Sequence, residues 1–148
     1  MKPTDPIRAQ FDFTYRSIRA NTGGITDEEA LITPDDGGNS INWIFGHLLV
    51  SRNDIFSLLS RKPPFDSEKY RPYARGSKGE PESWNVIPLS GLRQELDYSQ
   101  KLLTDALKSA SPHEDKLNRL AHMCFHEAYH AGQIGLMRRV IGKEGAIR

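Results

Sequence analysis

"SPHEDKLNRLAHMCFHEAYHAGQIGLMRRVIG", residues 111 to 142, decides the fold. Ser111 stands where an N-cap belongs, Pro112 suits the first helical position, and Glu114 closes a capping box. Nothing breaks the run before Gly142, so a long helix to about Ile141 is predicted. At about 100° per residue, His126, His130 and Met137 share a face with Met123, Ile134 and Ile141. The opposite face carries Leu117, Ala121, Cys124, Ala128, Ala131 and Gly135, small residues that admit a close neighbour. A helix apolar on two faces lies at the centre of a bundle or in an oligomer interface.

Within that helix, residues 126–130 read His-Glu-Ala-Tyr-His, the spacing of a zinc protease. The remaining parts of such an enzyme are missing. An extended motif needs glycine at 133 and histidine at 136, where this chain has Gln133 and Leu136. A glutamate ligand from a later helix is no better served, because Glu144 stands among "GKEGAIR", past the expected helix end. No strand-forming segment is available to hold an extended peptide. An HExxH-type metallohydrolase is therefore the weakest reading.

Outward from this helix, the pattern is helical throughout. A first helix is predicted from "TDPIRAQF", with Asp5 as N-cap and Pro6 at the first position, to "NTGG", where Gly23 and Gly24 allow a left-handed end. Thr26 and Glu29 have capping-box spacing in a short turn. After "PDDGGNS", the stretch "INWIFGHLLVSRNDIFSLLS" (41–60) predicts a second helix, with Ile41, Ile44, Phe45, Leu48, Ile55 and Leu59 on one face. The third, "LSGLRQELDYSQKLLTDALKSA" (89–110), has Leu92, Leu96, Leu103 and Leu107 as its apolar stripe. Between the second and third lie Pro63, Pro64, Pro72, Pro81 and Pro88, with Gly76 and Gly79. This is read as a long crossover, pinned to the bundle by Tyr70, Tyr73 and Trp84. The expected architecture is all-α: residues 1–148 as a single domain, a four-helix bundle with a long crossover between helices 2 and 3.

Composition narrows the partners. In 148 residues, 20 basic and 19 acidic side chains leave a formal charge of +1, which gives nucleic acid or an acidic membrane nothing to grip. Cys124 is alone, so no intrachain disulfide can form and a reducing compartment is expected. "MKPTDPIRAQ" has no apolar stretch after Lys2, and no run is long enough to span a bilayer. A cytoplasmic protein with a small-molecule substrate is expected.

His47, in "NWIFGHLL", sits at the edge of the second helix's apolar face. If helices 2 and 4 are neighbours, it can meet His126 and His130 at one point. Three neutral imidazoles suit zinc, nickel or another late divalent metal. Three protein ligands also leave a coordination position for water or substrate, as catalytic sites do.

"INWIFGHLLVSRNDI" together with "HEAYHAGQIGLMRRVIGKEGAI" resembles the DinB-like superfamily of bacterial four-helix proteins, distinct from the DNA polymerase of that name. The pattern, a helix-2 histidine in W-x-x-G-H and an H-x-x-x-H pair followed by Gly-Gln, falls here on Trp43, Gly46, His47, His126, His130, Gly132 and Gln133. The resemblance implies a histidine-bound divalent metal, a bundle with a long crossover, and frequently a dimer. Some relatives are metal-dependent transferases or isomerases that use a low-molecular-weight thiol, whose nucleophilic thiolate a metal stabilises at neutral pH.

The remaining candidates have plainer readings. His122 has rotated towards the polar side. Cys124 lies about 200° round the helix from His126 and reads as a small buried hydrophobe. Glu127 points away from the site and reads as an ion-pair or surface residue. Gln133 and Tyr129 are near enough in angle to bond a ligand histidine or substrate; Ser51 and Asp54 are weaker candidates of the same kind. Trp43 reads as core and His113 as solvated. Two functions follow: a metal-dependent transferase or hydrolase with an open three-histidine site, or a non-catalytic scaffold whose metal ties two helices. The small-residue strip from Ala121 to Gly135 predicts a homodimer, unless an intramolecular helix fills it.

Overall fold

Four helices run through the computed structural model: α1 (Thr4–Thr22), α2 (Ile41–Leu58), α3 (Leu89–Ser109) and α4 (Glu114–Val140). The structure describes residues 1–77 and 85–147. Gly79, Pro81 and Trp84, assigned above to the crossover, lie outside the described residues. No strand occurs among the described residues. Helices α1 and α2 each pack against both α3 and α4, which makes a four-helix bundle with α1 and α2 across one diagonal. The expected neighbours α2 and α4 are therefore in contact. No helix is long and apolar enough to cross a membrane.

The leucine stripe of α3 faces inward as its spacing requires, with Leu92, Leu96, Leu103 and Leu107 all buried. The core divides into two apolar clusters along the bundle. One gathers Ile18, Ile44, Leu48, Leu96 and Ile134 around the histidine end; the other gathers Phe11, Ile55, Leu103, Leu120 and Cys124. Burying a side chain of this size contributes about 1.5–3 kcal/mol, so both clusters hold the helices together.

Two helix starts differ from the sequence reading. Helix α1 begins at Thr4, with Pro3 in the N-cap position and no side-chain cap. Asp5 lies inside the first turn, where its carboxylate accepts from the Lys2 backbone N–H at 2.8 Å. That hydrogen bond, with the one from Arg8, holds its pKa below the ordinary value. Helix α4 begins at Glu114 with His113 as N-cap, so Ser111 and Pro112 do not cap it. The physical reason lies in the connection. With α3 ending at Ser109, residues 110–113 must carry the chain across the diagonal between α3 and α4, which do not pack directly, and an earlier start would leave fewer residues for that crossing.

Other local signals formed as their chemistry dictates. The Thr26–Glu29 box closes in both directions, at 2.9 and 3.1 Å. Ser40 caps α2 by accepting from the Trp43 N–H. Gly24 takes the left-handed φ of 72° beyond α1, while Gly23 stays extended. The crossover is pinned by Tyr70 and Tyr73, both buried, and by Asn53, whose side-chain amide bonds both the N–H and the C=O of Phe65.

Candidate metal centre

His47 leaves α2 towards α4, held between Trp43 and the Tyr73 carbonyl. The Trp43 ring, one turn earlier, stacks flat on it at 4.9 Å and 8°. Trp43 is itself fixed by its indole N–H, which donates to the Pro72 carbonyl and the Ser77 hydroxyl. The Tyr73 ring covers Gly46, where an added Cβ would fall 2.0 Å from a ring carbon. That close approach brings the Tyr73 carbonyl within 2.9 Å of His47 Nδ1. A carbonyl only accepts, so Nδ1 carries a proton, and in the neutral ring that a metal requires Nε2 is the atom with the lone pair.

The two α4 histidines, one turn apart, meet this ring. His126 lies 5.3 Å and His130 4.9 Å from His47, centroid to centroid, and 4.6 Å from each other. One ring nitrogen from each falls within 4.8 Å of the other two, close enough to share a single ion. His130 Nδ1 donates to Gln133 Oε1 at 2.6 Å, which leaves its Nε2 bare in the same way as His47. His126 Nδ1 is buried with no hydrogen-bond partner. An orphaned buried nitrogen is costly, and a cation shared by the three rings is a partner this donor set suits.

Electrostatics disfavour the charged form of both α4 rings, and metal ligands must be neutral. Burial pushes the His126 pKa from 6.5 down to about 4, and the neighbouring His130, His47, His122 and Arg75 press the same way. Burial also lowers that of His130, opposed by the hydrogen bond it donates to Gln133. The triad lies in a cleft of about 840 Å³ whose walls include Trp43, Ser51, Asp54, Arg75, Tyr129 and Gln133. Among the described residues, no other histidine, cysteine or carboxylate joins the three as a ligand group.

The other candidates sort by angle. His122 is an exposed residue at the cleft edge, and His113 is exposed beyond it at the start of α4. Cys124 is buried in the far cluster, its thiol against the Ile7 carbonyl, with burial raising its pKa to about 12. Gln133 does hold a triad histidine. Tyr129 is largely exposed, its ring 5.4 Å from that of His130. Ser51 lines the cleft, but its hydroxyl donates to the His47 backbone carbonyl rather than the ring. Asp54 lines the cleft and is exposed. Trp43 serves both as core and as cleft wall.

Glu127 is an ion-pair residue and is not at the surface. Its carboxylate takes Arg52 in a two-pronged contact at 2.7 and 3.2 Å, with both side chains out of solvent. Held there, it is unavailable as the general base an HExxH hydrolase requires. Arg52 escaped the sequence reading, as did the Tyr73 carbonyl and Arg75. Arg52 left a signal: it lies four residues after Leu48 and three before Ile55, within the apolar stripe, where a charge demands a buried partner.

A search of the curated proteins finds no match to the chain, and a search of the solved structures finds none. The model of the DinB superfamily matches residues 10–134, a span that holds all three histidines of the cluster and most of the bundle. The chain belongs to the DinB superfamily.

Proposed function

We propose that this chain is a metal-dependent enzyme acting on a small molecule, with His47, His126 and His130 as the ligands of one divalent ion, zinc or nickel. One observation carries the reading. Three imidazoles from two helices converge in a cleft, without a fourth protein donor beside them among the described residues. Three ligands leave a position for substrate, whereas structural sites are closed by four. An ion held there would depress the pKa of a thiol and so supply a nucleophile at neutral pH. The chain's own part is to hold the ion through Nε2 of His47 and His130, with Tyr73 and Gln133 fixing those tautomers. The cleft supplies Arg75 and polar side chains to orient a substrate.

The reaction proposed is transfer or isomerisation with a low-molecular-weight thiol as cosubstrate. In this reading residues 1–148 act as a single domain in the cytoplasm, with neither nucleic acid nor membrane as partner. A homodimer is part of it. Part of the strip from Ala121 to Gly135 meets α1, with Gly135 against Asn21 and Cys124 against Ile7, while Ala121 and Ala128 stay exposed. On α4, Phe125, Tyr129, Leu136 and Val140 fall on one face at helical spacing and are all exposed, and such a face favours a second copy. Protein purified without a histidine tag and analysed for metals tests the centre. Near-stoichiometric zinc or nickel, with metal-dependent consumption of a small thiol in the presence of electrophiles, is expected. Metal-free protein that takes up neither ion would end the proposal.

A further inference from the structure

Between the two apolar clusters runs a buried polar layer. Arg52 comes from α2, Ser99 and Gln100 from α3, and Glu127 from α4, each flanked along its helix by members of both clusters. The Arg52 side chain is 0% exposed and that of Glu127 3%. Besides its two contacts with Glu127, Arg52 donates to Ser99 Oγ at 2.7 Å and to Gln100 Oε1 at 2.9 Å. One guanidinium thus ties three helices.

A buried ion pair is a poor source of stability, because desolvating both charges offsets most of their attraction. Its value is directional. Helix α2 is apolar around much of its girth, and α4 is studded with the small residues Ala121, Ala128, Ala131, Gly132 and Gly135. Such surfaces pack at more than one rotation, whereas a two-pronged Arg–carboxylate contact accepts only one. Glu127 is one residue from His126, about 100° round the helix. With Glu127 turned inward to Arg52, His126 must face the cleft, and His130 follows at about 40° from it. On α2, Arg52 stands five residues after His47, about 140° round, so the same contact sets that helix too.

From this geometry we infer that Arg52 and Glu127 are positioning residues of the histidine centre, fixing the rotations of α2 and α4 that bring the three imidazoles together. The inference rests on the metal reading above. Its test replaces the layer by apolar side chains of similar volume, Arg52→Met with Gln100→Leu and Glu127→Leu; Ser99 keeps its bond to the Leu96 carbonyl. Three quantities are measured beside wild type: the melting temperature of metal-free protein, zinc affinity against a chromophoric chelator, and the visible spectrum of the cobalt(II) form. The variant is expected to keep its melting temperature, to bind zinc about 10–100-fold more weakly, and to show shifted cobalt bands. If it does not fold, Glu127→Gln takes its place, with a shifted cobalt spectrum and about tenfold weaker binding expected. A folded variant with wild-type affinity and spectrum overturns the positioning role and leaves the metal reading intact. Wild-type protein that binds neither zinc nor cobalt overturns both.

Discussion

Tyr73 holds His47 from outside the bundle: its backbone carbonyl accepts from the imidazole Nδ1 at 2.9 Å, although the two residues belong to different segments. The phenol end of Tyr73 is anchored as firmly, donating to Asn42 Oδ1 and accepting from the Ile87 N–H, each at 3.0 Å. Burial keeps that phenol protonated, with its pKa raised to about 12. The crossover is therefore part of the site, and its tyrosine is seated by the missing side chain of Gly46.

Gly46→Ala should show this dependence. The added methyl meets the Tyr73 ring at 2.0 Å, and a doubly bonded ring in a packed core cannot retreat cheaply. Overpacking of this kind costs about 1–3 kcal/mol, and displacing the carbonyl partner of a ligand histidine costs about 10–100-fold in metal affinity. Urea unfolding and zinc titration of the variant measure the two losses separately. Unchanged zinc affinity would mean that the carbonyl does not orient His47.

The ligands themselves should separate from their neighbours. His47→Ala, His126→Ala and His130→Ala each leave two imidazoles, which hold a divalent ion poorly, and each should lose the metal while remaining helical. His122→Ala should retain it, because that ring lies at the cleft edge; Cys124→Ala should also, because its thiol faces the Ile7 carbonyl across the helix. Metal stoichiometry by elemental analysis decides. Full occupancy in His47→Ala would move the site onto α4 alone.

How far the sequence reached depends on which physics each feature obeys. Apolar periodicity is a local signal, so the four helices and the α3 leucine stripe were legible to within a few residues. The convergence of His47 with His126 and His130 was legible because single turns and one helix pairing decide it. Capping letters misled at Asp5 and at Ser111, since the cap goes wherever the connection lets the helix begin. The Arg52–Glu127 layer was half legible: Glu127 could be read as one end of an ion pair, but its partner lies 75 residues away in sequence. The Tyr73 carbonyl carries no side-chain signature, so nothing in the letters marks it.

Cys124 should be inert in the native protein. Its thiol is buried and its pKa stands near 12, raised chiefly by burial and further by Glu127. Thiolate is the reactive form, so an aromatic disulfide reagent at pH 8 should modify it only when the bundle opens. The labelling rate should rise with urea in step with the helical signal lost. Rapid labelling of folded protein would show that the α1–α4 contact around Ile7 opens on its own.

Acid should weaken the metal-free fold through His126. Its pKa is depressed in the folded state, to about 4 from 6.5, so between those values the unfolded chain binds more protons than the native one. Stability therefore rises with pH across this window: it is present in full above about 6.5 and drains away as pH falls towards 4. His130 is shifted in the same direction and adds to the slope. The carboxylates of Asp5 and Glu29 have lowered pKa values, so their own contributions are lost at the acid end rather than near neutrality. Urea midpoints of chelator-treated protein at pH 7 and pH 5.5 should thus fall with acid. His126→Asn, which cannot titrate, should fall less. An equal drop in that variant would place the acid sensitivity elsewhere in the molecule.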